Sequence, residues 1–107
     1  MKRGDIYFAN LDPSIGSETK KRRPVVIVSN NLQNTYSDRV VILPITSQAK
    51  KVYPFEVLIS NNGIEGKAMC DQIRTLDKRR LEDYQGQVPQ NIINQIEKSL
   101  KLVLNLS

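Results

Sequence analysis

Lys20-Lys21-Arg22-Arg23-Pro24-Val25-Val26-Ile27-Val28-Ser29-Asn30 is the stretch on which the reading of this chain turns. Four consecutive cations run into a proline and then an unbroken apolar segment. A tetrabasic run is ordinarily solvated, whereas Val-Val-Ile-Val calls for a strand with both faces covered. Proline at the first position of a strand is one of the few places a sheet accepts it. The join therefore predicts a strand over Pro24–Ser29, with Arg23 at the rim of a rigid sheet, where a guanidinium can be aimed at one place.

Outward from that strand the pattern stays β-like. Asp5-Ile6-Tyr7-Phe8-Ala9-Asn10 predicts a first strand, ended by the turn signal Asn10-Leu11-Asp12-Pro13. A polar loop centred on Gly16 leads to Arg23. Asn30 to Asp38 reads as a polar connection with room for one helical turn. Arg39-Val40-Val41-Ile42-Leu43-Pro44-Ile45 gives a third strand, and Thr46 to Val52 a polar, lysine-containing loop.

Tyr53 to Ser60 alternates, with Phe55, Val57 and Ile59 on one face and Glu56 on the other. Asn61-Asn62-Gly63 is a hairpin turn signal. Lys67 to Leu76 predicts one or two further strands, with Gln72 and Arg74 on one face, and Asp77 to Leu81 a short helical turn. From Pro89 the period changes from 2 to 3.6. Ile92, Ile93, Ile96, Leu100, Val103 and Leu104 make one stripe, while Gln90, Glu97, Lys98 and Lys101 face water. The pattern predicts a mostly β fold: a small, twisted, mostly antiparallel barrel or sheet closed by one C-terminal helix.

Composition bounds the function. A chain of 107 residues reads as a single domain over 1–107, burying roughly 60–65% of its unfolded surface. Sixteen Lys and Arg against eleven Asp and Glu leave a net charge of +5, which favours a polyanionic partner. The chain has no histidine and one cysteine, Cys70. No imidazole is available for acid–base work, and a protein-held transition metal is disfavoured, so neither metal nor cofactor is expected. Asp5 interrupts any secretory signal, and no apolar run approaches the roughly 20 residues of a membrane span, so a cytoplasmic location is expected.

Three polar clusters border strand ends: Gly16-Ser17-Glu18 with Arg22-Arg23-Pro24, Pro44-Ile45-Thr46-Ser47, and Asp71-Gln72-Ile73-Arg74-Thr75. Together with Arg3-Gly4-Asp5-Ile6-Tyr7 and Tyr53-Pro54-Phe55-Glu56-Val57 they resemble the MazF/PemK/Kid family of toxin endoribonucleases, over nearly the whole chain. The resemblance implies an SH3-like twisted barrel, a symmetric homodimer, and metal-independent, sequence-specific cleavage of single-stranded RNA that leaves 2′,3′-cyclic phosphate and 5′-OH ends. It implies catalytic roles for Arg23 and Thr46, with Glu18 matching an acidic loop residue and Gln72 a position lining the RNA groove. It also implies an acidic, partly disordered antitoxin as partner.

The residues suit such chemistry. RNA supplies its own 2′-OH as nucleophile, so the protein must hold the phosphate, stabilise added negative charge and manage two protons. The Arg23 fork can take two phosphate oxygens, and the Thr46 hydroxyl can donate to the same group. Arginine is too weak an acid to act as general base near neutral pH, which leaves Glu18 as the candidate base. Ser17, Lys20, Arg22, Ser47, Gln72 and Arg74 stand as substrate-binding candidates. A CcdB-like gyrase-poisoning toxin is the alternative on the same fold, and its tryptophan-containing C-terminal pattern is absent here. A passive single-strand-binding barrel has only six aromatic residues, none of them Trp, to stack on bases.

Overall fold

The structure is a computed structural model and describes residues 1–11 and 22–107. Among the described residues there are seven strands: β1 (Asp5–Asn10), β2 (Arg22–Ile27), β3 (Arg39–Thr46), β4 (Glu56–Asn61), β5 (Ile64–Met69), β6 (Arg74–Asp77) and β7 (Leu81–Gln87). Helix α1 (Asn31–Tyr36) lies between β2 and β3, and helix α2 (Gln90–Leu104) follows β7. Hydrogen-bonded neighbours run β4-β5-β3-β2-β1-β7, with β6 also on β3. Every described pairing is antiparallel. The expected twisted antiparallel sheet with a closing C-terminal helix is the observed architecture.

β3 is where the sheet divides. One edge pairs with β2, from Ile27↔Ile42 to Val25↔Pro44. Along the other edge, β6 covers Arg39 to Ile42 and β5 covers Ile45 and Thr46. Pairing on that edge lapses at Leu43 and Pro44, and proline is tolerated where no ladder bond is asked of it.

The apolar run of β2 divides by strand alternation between two cores. Val26 joins Ile6, Leu43, Ile45, Val57, Ile59, Ala68 and Ile96 on the face covered by α2. Val25 and Ile27 join Ala9, Leu11, Val40, Ile42 and Leu76 on the other. The predicted double covering of this strand is thus observed.

Local signals explain the elements. The Asn30 side chain accepts from the Gln33 N–H at 2.8 Å and caps α1. Asn62 (φ 50°) and Gly63 (φ 80°) both take positive φ, as a type I′ hairpin requires. The Asp77 carboxylate accepts from the Arg79 N–H at 2.8 Å and opens the expected short turn, Lys78–Arg80.

The structure departs from the sequence reading in several places. β2 begins at Arg22, two residues early, because β1 pairs with it as far as Asn10↔Arg22. β4 begins at Glu56 rather than Tyr53. Gln72 lies in a 3₁₀ turn, Cys70–Gln72, rather than on a strand face with Arg74. That turn shifts the chain from β5 to β6 along the same edge of β3. In α2, Leu104 is 49% exposed because it lies in the last turn, past the sheet that Ile92, Ile93, Ile96, Leu100 and Val103 cover.

Candidate active site

The β2–β3 register decides how Arg23 and Thr46 stand to each other. The pairs Ile27↔Ile42, Val26↔Leu43 and Val25↔Pro44, counted two residues further, set Arg23 across from Thr46. Paired residues on antiparallel strands share a face. On its other side Thr46 pairs with Lys67 of β5. Thr46 and Lys67 are thus cross-strand neighbours, and Arg23 aligns with them only by continuing the β2–β3 register two residues past its last pair. Arg23 and Thr46 are half-buried and Ser47 is exposed. The Gln48 N–H donates to Thr46 Oγ1 at 3.3 Å, which leaves the hydroxyl proton for another acceptor.

Arg22 turns away from this row. Alternation sends it to the opposite face, where its guanidinium lies 4.3 Å from the Phe8 ring centroid. There its Nε donates to Glu82 at 2.8 Å and a second nitrogen to Asp83. Arg74 pairs with Ile42 and donates to the Leu11 carbonyl at 3.3 Å, just before the segment 12–21. Gln72 Nε2 lies 3.5 Å from Met69 Sδ. Ser17, Glu18 and Lys20 lie outside the described residues.

Beside Thr46 opens a hollow of about 710 Å³, lined by Thr46, Ser47, Lys50, Tyr53, Glu56 and Lys67 with their neighbours. Arg23 stands one strand beyond it. Lys67 Nζ bonds Glu56 Oε1 at 2.9 Å and the Lys51 carbonyl at 2.7 Å. Both side chains of this pair are largely covered, 13% and 7% exposed. The sequence reading set Glu56 off the apolar face but did not link it to Lys67, since β4–β5 register is what joins them.

Cys70 is fully buried. Burial first, and then the Asp71 charge, pushes its thiol up to about 11, so it is no nucleophile near neutrality. Among the described residues no three His, Cys, Asp or Glu side chains group as a metal site would need. Also among them, no helix is long and apolar enough to cross a membrane. The polar strand β7 escaped the sequence reading because it offers little apolar alternation. Its one aromatic, Tyr84, sits 5.4 Å from Tyr7 of β1 and was the available signal.

Residues 2–104 match the family described as PemK-like, MazF-like toxin of type II toxin-antitoxin system. The chain belongs to that family. Endoribonuclease MazF9 of Mycobacterium tuberculosis is 38% identical, with 99% of this chain and 98% of the relative covered. Endoribonuclease EndoA of Bacillus subtilis is 35% identical, covering 99% and 96%. A mycobacterial endoribonuclease solved in complex with its cognate antitoxin superposes with a TM-score of 0.85, at 30% identity and with 100% and 97% covered. This PemK/MazF-like chain thus shares both length and fold with proteins named for RNA cleavage.

Proposed function

We propose that the protein is the toxin of a type II toxin–antitoxin pair and a metal-independent, sequence-specific endoribonuclease acting on single-stranded RNA. Its relatives' names support the enzyme class. The observation that supports the chemistry is the β2–β3 register, which pairs the strands as far as Val25↔Pro44 and, continued by two residues, aligns Arg23 with Thr46.

In this reading the scissile phosphate lies over that ladder. Arg23 donates two parallel N–H bonds to the non-bridging oxygens and holds the charge that grows as the ribose 2′-OH attacks in line. Thr46 adds its hydroxyl donor to the same oxygens. The 2′-OH proton goes to a base, for which Glu18 is the candidate, and the departing 5′-oxygen takes a proton from solvent or from Arg23. The products are a 2′,3′-cyclic phosphate and a 5′-OH. A MazE-like acidic antitoxin is the proposed partner, in line with the antitoxin complex of the mycobacterial neighbour. A symmetric homodimer completes the proposal. The gyrase-poisoning alternative finds no relative among these.

The test is incubation of the pure protein with a long RNA in excess EDTA, followed by mapping of new 5′ ends. Discrete cuts at a recurring short motif, with 5′ ends that accept phosphate from a polynucleotide kinase without prior dephosphorylation, are expected. Intact RNA, or cutting only after a divalent cation is restored, overturns the mechanism.

A further inference from the structure

Gly66 stands one residue before Lys67 in β5 and is buried. On the β4 side it pairs with Ile59. It is not among the residues with positive φ, so the backbone conformation there does not call for glycine. A glycine inside a strand weakens it, because it has more conformational freedom to lose and no side chain to pack. What it permits in exchange is the close approach of another backbone.

That backbone is the end of β3. The strand pairs with β5 through Ile45↔Ala68 and Thr46↔Lys67 and stops there. A Cβ built on Gly66 would overlap the Thr46 carbonyl oxygen, come within 2.8 Å of the Thr46 carbonyl carbon and lie 3.2 Å from Ser47 Cα. All three are backbone atoms, so no flexible side chain can swing aside to make room. Thr46 and Ser47 would have to retreat by about 1 Å, and a displacement of that size costs roughly 100-fold in rate at a reacting centre. The Thr46 hydroxyl would move with its backbone. The Gln48 N–H that donates to it at 3.3 Å belongs to the loop that follows and would shift as well.

We infer that Gly66 is a positioning residue for the reaction. The room left by its missing side chain is filled by the Thr46 carbonyl, and that seat fixes where the last residue of β3 leaves the sheet. The place of the Thr46 hydroxyl against the scissile phosphate follows from it. Gly66 is buried and acts through Thr46. The inference rests on the endoribonuclease reading above and adds to it a residue that contributes by having no side chain. Gly63, at the tip of the same hairpin, differs in kind. It takes φ 80°, and a Cβ there would meet nothing within 4 Å. Its role is confined to the turn, which makes it the control.

The experiment is a double-mutant cycle on Gly66→Ala and Thr46→Ala, read by single-turnover cleavage and by affinity for an uncleavable 2′-deoxy RNA. Gly66→Ala alone is expected to slow cleavage about 100-fold while affinity stays within about twofold. In the Thr46→Ala background the same substitution should change the rate by no more than about twofold, because the hydroxyl it displaces is already gone. A glycine that served packing alone would act equally in both backgrounds. Gly63→Ala strains the turn and should leave the cleavage rate of the folded protein within about twofold. If Thr46→Ala cuts too slowly to measure, the split between rate and affinity in Gly66→Ala decides. The unaltered protein gives a check that needs no variant. Its NMR spectrum should show a strong NOE between a Gly66 Hα and Ser47 Hα, and lack of that NOE overturns the inference. Folded Gly66→Ala that cuts at the wild-type rate, or effects that multiply across the cycle, overturns this inference alone. Wild-type protein that cuts no RNA overturns the endoribonuclease reading and this one together.

Discussion

Thr46 Oγ1 already accepts a hydrogen bond from the Gln48 N–H, so in the proposed mechanism its remaining role is to donate. Arg23, across the ladder, would hold the phosphate with two nitrogens of one planar group. A lysine at that position keeps the charge and loses the fork. Arg23→Lys should therefore lower kcat by about 100- to 1000-fold while the affinity for an uncleavable 2′-deoxy substrate changes far less. Single-turnover cleavage and fluorescence-anisotropy binding separate the two, and near-wild-type cutting would remove Arg23 from the reaction. Arg22 is a useful control beside it. Its guanidinium is engaged by Glu82 and Asp83 over Phe8 on the opposite face, so Arg22→Lys belongs to the packing of β1, β2 and β7.

At the level of elements, the walls of the hollow depend on how α2 grips the chain leading into β4. Ser99 is buried in α2, and its Oγ donates to the Pro54 carbonyl at 2.9 Å. Removing that donor strands a backbone acceptor at the base of the segment that presents Tyr53 and Glu56. Ser99→Ala should cost about 1–2 kcal/mol, or roughly 5–10 °C of melting temperature for a chain of this size. Differential scanning calorimetry reads it, and an unchanged melting temperature would show that α2 does not fasten this segment. Much of this level was legible beforehand. Val25-Val26-Ile27 announced a strand covered on both faces, Asn62-Gly63 the turn between β4 and β5, and the isoleucine stripe the closing helix. What stayed hidden was set by pairing rather than by local pattern. β7 is polar because it borrows its place from β1. Gln72 left its expected strand because two strands share one edge of β3. The Glu56–Lys67 pair exists only once β4 and β5 are in register.

Across the whole molecule the charge of +5 is not evenly available. Arg79 is clasped by Asp77 at 3.0 Å, and the Arg79 hydrogen bonds hold that carboxyl near 2, well below the usual carboxylate range. Arg3 is paired with Glu97. Lys50 and Lys51, by contrast, stand exposed at the rim of the hollow in line with Thr46. A strand of RNA running past Arg23 and this rim would release counterions at each phosphate it gives up to a cation, about 0.7 per contact for a single strand. Three such contacts predict a log–log slope near −2, a loss of affinity of roughly 15- to 20-fold between 50 and 200 mM salt. Lys50→Ala and Lys51→Ala should each flatten the slope by about 0.7, while Arg79→Ala, whose guanidinium is already paired with Asp77, should leave it in place. Equal slopes for all three variants would mean that the RNA does not follow the face on which Arg23, Thr46 and Lys67 are aligned.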